Sequence, residues 1–281
     1  MHTAKQQSPL VTKSNGLVEA SYRLTLDEQR LLLAVLAQID SHPSKPSITA
    51  VDPITVSALT IADLFSLPAK KGYEVLKDAV ERLAERWVII DRPDPDEPSL
   101  ARTKTRWVAS IDYLPDQGKV RLHLAQKIIP YIAKLAGQFT SYRIAHVAPM
   151  SSVYAIRLYE LLVQWRELGE REVQIGWLKE QFQVPNSYSR MYDFKRNVID
   201  IAVDQINTYS DLTVSYTQRK VGRQVVALQF TFGPKAEKPS RQTRSEPASA
   251  PKVDRAYIEA NARPGESWAD ATARLTARDT G

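Results

Sequence analysis

The 281-residue chain contains no cysteine. Disulfides, thiolate metal sites and a cysteine nucleophile are therefore excluded, and the absence fits a reducing compartment. Histidine is scarce: His2, His42, His123 and His146 are scattered, and no H-x-H pair occurs among them. Metal-dependent DNA strand nicking thus has no ligand set, despite twelve tyrosines. No G-x-x-x-x-G-K-[ST] phosphate loop is present; Gly118-Lys119 is followed by Val120. G-x-S-x-G is missing too. The carboxylates of DPDEP (94–98) stand between prolines and read as a turn, not a metal site. No catalytic activity, metal or cofactor is expected. No apolar run approaches the roughly 18 residues that span a bilayer. MHTAKQQSPL lacks the apolar centre of a signal peptide, so a cytoplasmic protein without a membrane partner is expected.

What is present is basic. The formal charge is +6 and the pI near 9.3, which favours a polyanionic partner without proving one. The apolar fraction of 43% is that of a globular chain, and the length suffices for two domains.

Residues 1–20 are polar and irregular and read as a flexible segment. Thr25-Leu26-Asp27-Glu28 has the form of a capping box, and LLLAVLAQI continues it as a helix to about Ile39. TIADLF (60–65) reads as a short helix capped by its threonine. YEVLKDAVERLAERW is a helix with Leu76, Ala79, Val80 and Leu83 spaced by three and four. WVII (87–90) is a strand. TRWVASIDYL, the turn PDQG and KVRLHL form a hairpin in which Val120, Leu122 and Leu124 alternate with polar residues. QKIIPYIAKLA reads as a helix. The order then recurs: an amphipathic helix at 152–168, the short helix WLKEQF, the turn QVPNS, a longer helix from about Ser189 to Asn207, and two strands joined by a basic turn. Pro68 and Pro185 hold matching places. Helix, turn, helix and a two-stranded wing describe a winged helix-turn-helix. The expected fold class is α+β, with two tandem winged-helix domains, residues 21–140 and 141–233. A Pro-, Ser- and charge-rich tail at 234–281 has too little apolar content to order itself.

The helix of the second unit starts with cations, where the helix dipole prefers anions. On a helical wheel Phe194, Val198, Ile201, Ala202, Ile206 and Tyr209 share the core face. Arg190, Asp193, Arg196, Asn197, Asp200, Asp204 and Asn207 share the other. A recognition helix reads bases through its N-terminal residues, arginine with guanine and asparagine with adenine. Arg190, Lys195, Arg196 and Asn197 are therefore the candidate base readers. The bland alternative is a solvated face with an i,i+4 pair of Arg196 with Asp200. Arg219, Lys220 and Arg223 surround Gly222 at a hairpin tip and suit phosphate contacts. Lys70 and Lys71 precede the first candidate recognition helix, and Arg102, Lys104 and Arg106 stand near the first hairpin. Leu10, Leu17, Leu24 and Leu31 fall seven apart, but Asn15-Gly16 interrupts them, so they read as core positions, not a zipper.

The stretch NGLVEASYRLTLDEQRLLLAVLAQID (15–40) resembles the opening of the plasmid replication initiators that bind iterons, the Rep_3 family. SSVYAIRLYELLVQW, YDFKRNVIDIAVDQINTYSDLTVSY and GRQVVALQFTF are similar to its second half, so the resemblance runs from about residue 10 to 233. It implies two winged helices, the C-terminal one giving the dominant contact with directly repeated sites at a plasmid origin. Carried over, it points to Arg190, Lys195, Arg196 and Asn197, with Arg219, Lys220 and Arg223 at the wing. It further implies weaker DNA contacts and dimerisation by the N-terminal unit, duplex opening, recruitment of host initiator and helicase, and repression of the protein's own gene as a dimer. The competing readings are a pure transcriptional repressor on the same fold and a protein-interaction module.

Overall fold

The structure is a computed structural model; it describes residues 8–45, 48–91, 99–184 and 187–235, with the backbone alone at 69–71. Its first element corrects the expectation of a flexible residue 1–20 segment. Leu10–Ser14 is a strand, β1, followed by one helical turn, α1 (Asn15–Val18). Val11, Lys13, Leu17 and Val18 are completely buried. The alternation in LVTKS sends Val11 and Lys13 inward, a period-two pattern short enough to escape notice in a polar segment. Lys13 is tolerated there only because a carboxylate meets it.

The Thr25–Glu28 capping box forms as read: Glu28 N–H donates to Thr25 Oγ1 (3.4 Å) and Thr25 N–H to Glu28 Oε2 (3.0 Å). It opens α2 (Leu26–Leu36), whose Leu31 to Leu36 are all buried. A helix apolar on every side belongs in the middle of a core. Of the leucine heptad, Leu17, Leu24 and Leu31 are core, while Leu10 is half exposed.

β2 (Ile54–Ser57) leads into α3 (Ala58–Phe65). Its cap is Ser57, whose Oγ accepts from Thr60 N–H at 3.0 Å; Thr60 is a capped residue, not the cap. α4 (Ala69–Ala84) starts after Pro68 and buries Leu76, Ala79, Val80 and Leu83. Gly72 permits its close approach to α3, since a Cβ there would stand 3.0 Å from the Ala58 carbonyl oxygen. β3 (Trp87–Asp91) pairs antiparallel with β4 (Arg102–Arg106). β5 (Val108–Leu114) and β6 (Lys119–Leu124) form the expected hairpin. QKIIPY is a 3-10 turn, not the expected α-helix: Pro130 has no N–H to donate and its ring obstructs a continued α-helix. β7 (Phe139–Arg143) then pairs with β1.

The second half repeats the first. α5 (Val153–Val163) is followed by β8 (Glu170–Gln174), α6 (Ile175–Gln181), α7 (Met191–Phe194), a π turn (Lys195–Ile199) and α8 (Asp200–Tyr209). The hairpin of β9 (Leu212–Val221) and β10 (Gln224–Pro234) closes it. Gly222, at φ +59°, makes the reversal. The two three-stranded sheets run in the same order, β2-β6-β5 and β8-β10-β9. Each is therefore strand, helix, helix, hairpin, with the returning strand in the centre. The β3–β4 ribbon is an insertion between α4 and the first wing. Pro185 and the tail lie outside the described residues.

Buried charge ties α5 to the N-terminal strands. Lys13 Nζ lies 2.5 Å from Glu160 Oε1, both fully buried, and Tyr142 donates its hydroxyl to the same oxygen. Arg157 donates to Tyr22 Oη (2.5 Å), the Ala20 carbonyl (2.7 Å) and the Val18 carbonyl (3.1 Å). Arg171 reaches Glu19 at 2.6 Å and the Leu161 carbonyl at 2.7 Å.

Candidate nucleic-acid interface

The second unit concentrates the candidates on one helix and one hairpin. α7 begins at Arg190, whose guanidinium pairs with Asp193 at 2.7 Å. Asp193, in the first turn, is the anion the helix dipole asks for. The chain then widens into the π turn at Lys195–Ile199, which closes i→i+5 rather than i→i+4. The extra residue widens the buried face locally, while Ala202 and Ile206 beyond it stay in the core as the wheel places them. Val198 and Ile199 are both completely buried, whereas Ile201, expected in the core, is 41% exposed. Tyr209, also expected inside, is exposed in the last turn of α8.

The same turn decides which cations remain available. Lys195 Nζ bonds both Asp200 oxygens, at 2.8 and 3.0 Å. Residues five apart face each other across a π turn, where in an α-helix they would diverge. The expected alternative pairing of Arg196 with Asp200 does not form. Tyr216 of β9 donates to Asp200 Oδ1 (2.5 Å), an oxygen it shares with Lys195. Its hydrogen bonds to Asp200, and then to Tyr216, raise the Lys195 pKa. Partial burial would raise that of Asp200, but the bonds from Lys195 and Tyr216 outweigh it and hold the carboxyl below its ordinary range. Burial, then the Asp200 bond, pushes the Tyr216 phenol up. Arg196 and Asn197 are exposed and have no hydrogen-bond or ionic partner among the described residues. Tyr192, one turn before Arg196, is 65% exposed.

The wing divides similarly. Arg219 is held by Glu172 of β8 at 2.8 Å. Lys220 and Arg223 are exposed beside Gly222, without a partner among the described residues. α8 and β9 are bonded to each other. Besides the Asp200–Tyr216 bond, Asn207 clips β9 by accepting from Val214 N–H (2.7 Å) and donating to its carbonyl (2.9 Å). Asn207, placed on the solvent face by the wheel, is thus a structural clip.

The first unit is differently equipped. Lys70 and Lys71 fall in the first turn of α4. Beyond them its exposed face carries Glu74, Lys77, Asp78, Glu81, Arg82 and Glu85, more acid than base. Arg82 already bonds Glu28 at 3.1 Å. Arg102, Lys104 and Arg106, expected near the first hairpin, do not lie in that hairpin. They line one face of β4 in the inserted ribbon, while the wing turn itself, Pro115–Gln117, carries Asp116. Arg102 pairs with Asp91 at 2.6 Å. Arg106 pairs with Glu85, and its guanidinium lies 4.0 Å from the Trp87 ring centre; Lys104 Nζ lies 4.6 Å from that ring. Cations pinned on an aromatic face are less free to follow a phosphate than Lys220 or Arg223.

Comparison with known families settles the kinship. The description "Initiator Replication protein, WH1" matches residues 10–163, and "Initiator Rep protein, WH2" matches 174–232. The chain belongs to the initiator replication protein family. As a family member it is built of two winged helices, and its WH2 part spans β8 to β10. A curated Escherichia coli relative, an uncharacterized 27.6 kDa protein, is 26% identical over 214 residues, covering 74% of this chain and 88% of that protein. The Escherichia coli PI protein is 24% identical over 253 residues, covering 78% and 80%. The solved Pi initiator protein in complex with iteron DNA superposes with a TM-score of 0.68 at 21% identity, covering 83% of this chain and all of that one. This likeness concerns the fold. Among the described residues no group of three histidines or carboxylates could hold a metal, and no helix is long and apolar enough to cross a membrane.

Proposed function

We propose that this initiator family member binds directly repeated duplex sites, iterons, at a plasmid origin, chiefly through its WH2 unit. One observation carries the reading. Arg196 and Asn197 stand exposed and unanswered on a helix whose other cations are paired, and the helix is bonded to a hairpin ending in the unpaired Lys220 and Arg223. Such a helix can enter a major groove, where arginine and asparagine are the side chains that read guanine and adenine bidentately. The wing cations then lie against phosphates and set the register. The iteron complex of the Pi initiator protein supports duplex DNA as the partner class.

In this reading Arg190 and Arg219 are secondary, since each must leave a carboxylate to reach DNA. The first unit supplies the weaker contact through Lys70, Lys71 and Lys104, with Arg102 held back by Asp91 and Arg106 by Glu85. The acid on α4 is consistent with that inequality. Dimerisation through the first unit, repression of its own gene, and recruitment of a host initiator and helicase complete the proposal. The work is done by binding, in the bacterial cytoplasm, without a catalytic step or cofactor.

The test is selection of bound duplexes from a random-sequence library at physiological salt, followed by sequencing. A long consensus found as tandem direct repeats on the source replicon supports initiation at iterons. A consensus occurring only as one inverted repeat at a promoter favours repression instead. No enrichment would remove DNA recognition and leave a protein-interaction module.

A further inference from the structure

Lys195, Asp200 and Tyr216 form a three-membered cluster at the widest point of the reading helix. The Lys195 ammonium bridges both Asp200 oxygens, the Tyr216 hydroxyl closes on Asp200 from β9, and Lys195 Nζ lies 5.8 Å from the Tyr216 ring centre. The cluster spans the π turn from its first residue to the residue after its last. An isolated pair this exposed would contribute little. Here, however, three groups bond each other, and the third belongs to another element. π turns are uncommon and cluster at functional sites. This one coincides with Arg196 and Asn197, which have no partner among the described residues.

We propose that Lys195, Asp200 and Tyr216 are positioning residues for sequence reading: they hold the π turn, and the π turn sets the directions in which Arg196 and Asn197 leave the helix. Lys195 is thereby reassigned from contacting DNA to holding the helix. The inference rests on the proposed reading of DNA by this helix. It adds that specificity depends on two residues, Asp200 and Tyr216, that need not touch a base. Releasing the turn would rotate Arg196 and Asn197 relative to the wing, so base contacts would be lost while phosphate contacts survive.

The experiment compares the full-length wild type with Tyr216→Phe, Asp200→Asn, Lys195→Gln and Arg196→Ala. Each is titrated on its selected consensus duplex and on a random duplex over a range of salt, and each is put through the same selection. Tyr216→Phe changes no charge and keeps the ring, so it isolates the lock. The expected result is a loss of about tenfold or more on the consensus duplex, the scale of one base contact, with random-duplex affinity retained. The consensus should broaden at the base pairs that Arg196→Ala broadens, and Arg196→Ala should cost less in the Tyr216→Phe background than alone. Lys195→Gln should do the same without changing the salt slope; a fall of about one unit would mark it as a phosphate contact and overturn its reassignment. Parallel losses on both duplexes, or an unchanged consensus in Tyr216→Phe, would overturn the positioning role while leaving the proposed function intact. A wild type that selects no consensus would overturn both.

Discussion

Arg196 and Lys220 represent two kinds of exposed cation, one on a helix and one on a hairpin tip, and they should fail differently. If Arg196 reads a base, Arg196→Ala costs about 1 to 3 kcal/mol on the selected site and much less on random DNA. Titration of both duplexes at one salt concentration checks this, and equal losses would refute base reading. Lys220→Ala should weaken both duplexes alike and flatten the dependence of log affinity on log salt by about one unit; an unchanged slope would remove it from the phosphate contacts. Residue types and spacing were enough to choose these two. They were not enough to discard Arg219 or Arg190, because their partners, Glu172 and Asp193, declare themselves only once side chains have directions. The pairing of Lys195 was hidden for a related reason. Its acid lies five residues on, a spacing that an α-helical wheel separates and a π turn closes.

Among the elements, the best-read was α2. Thr25 and Glu28 reciprocally satisfy two N–H groups at its start, and this local chemistry is written in four consecutive residues. Thr25→Ala should destabilise the protein by about 1 kcal/mol, measured as a lower denaturant midpoint with an unchanged slope. Glu28 does more than cap: it also accepts from Arg82 and Arg86, so Glu28→Ala should cost more than Thr25→Ala in the same measurement. Elements that depend on distant partners were read less well. β1 was missed because five residues carry little periodicity and its pairing strand, β7, lies more than a hundred residues away. The 126–131 segment was read as a helix from its apolar content, but Pro130 prevailed.

Over the whole molecule, the buried pair of Lys13 and Glu160 joins the first strand to α5, 147 residues later. Removing one partner strands the other as a buried charge, so Glu160→Gln should destabilise folding by about 3 to 5 kcal/mol. A double change, Lys13→Met with Glu160→Leu, should recover much of that in denaturant unfolding. The pair also predicts a pH dependence. Burial alone would raise the Glu160 pKa, but the Lys13 and Arg157 charges and the bonds from Lys13 and Tyr142 prevail and lower it. The unfolded chain therefore binds this proton more readily than the folded one. The stabilisation is present above the ordinary glutamate value of about 4.3 and is lost as pH falls through the lower folded value. Acid unfolding of wild type and Glu160→Gln should show a shallower pH dependence in the variant. The pair also makes α5 depend on an N-terminal strand that was expected to be flexible.

The sequence by itself determined the periodic and the local: the long amphipathic helices, the capping box, two hairpins, the doubled order of elements, and a basic helix and wing in the second half. Those features depend on neighbours within one or two turns of chain, and their physics is complete over that distance. Only the tertiary structure decided which described cations are paired, that Arg102, Lys104 and Arg106 sit on an inserted ribbon, that β1 and Lys13 are core, and that the helix of the second unit contains a π turn. β1 and the ribbon are set by partners far along the chain, whereas Arg190 and Lys195 meet acids three and five residues away, and which neighbouring acid answers each cation depends on side-chain direction and on the π turn.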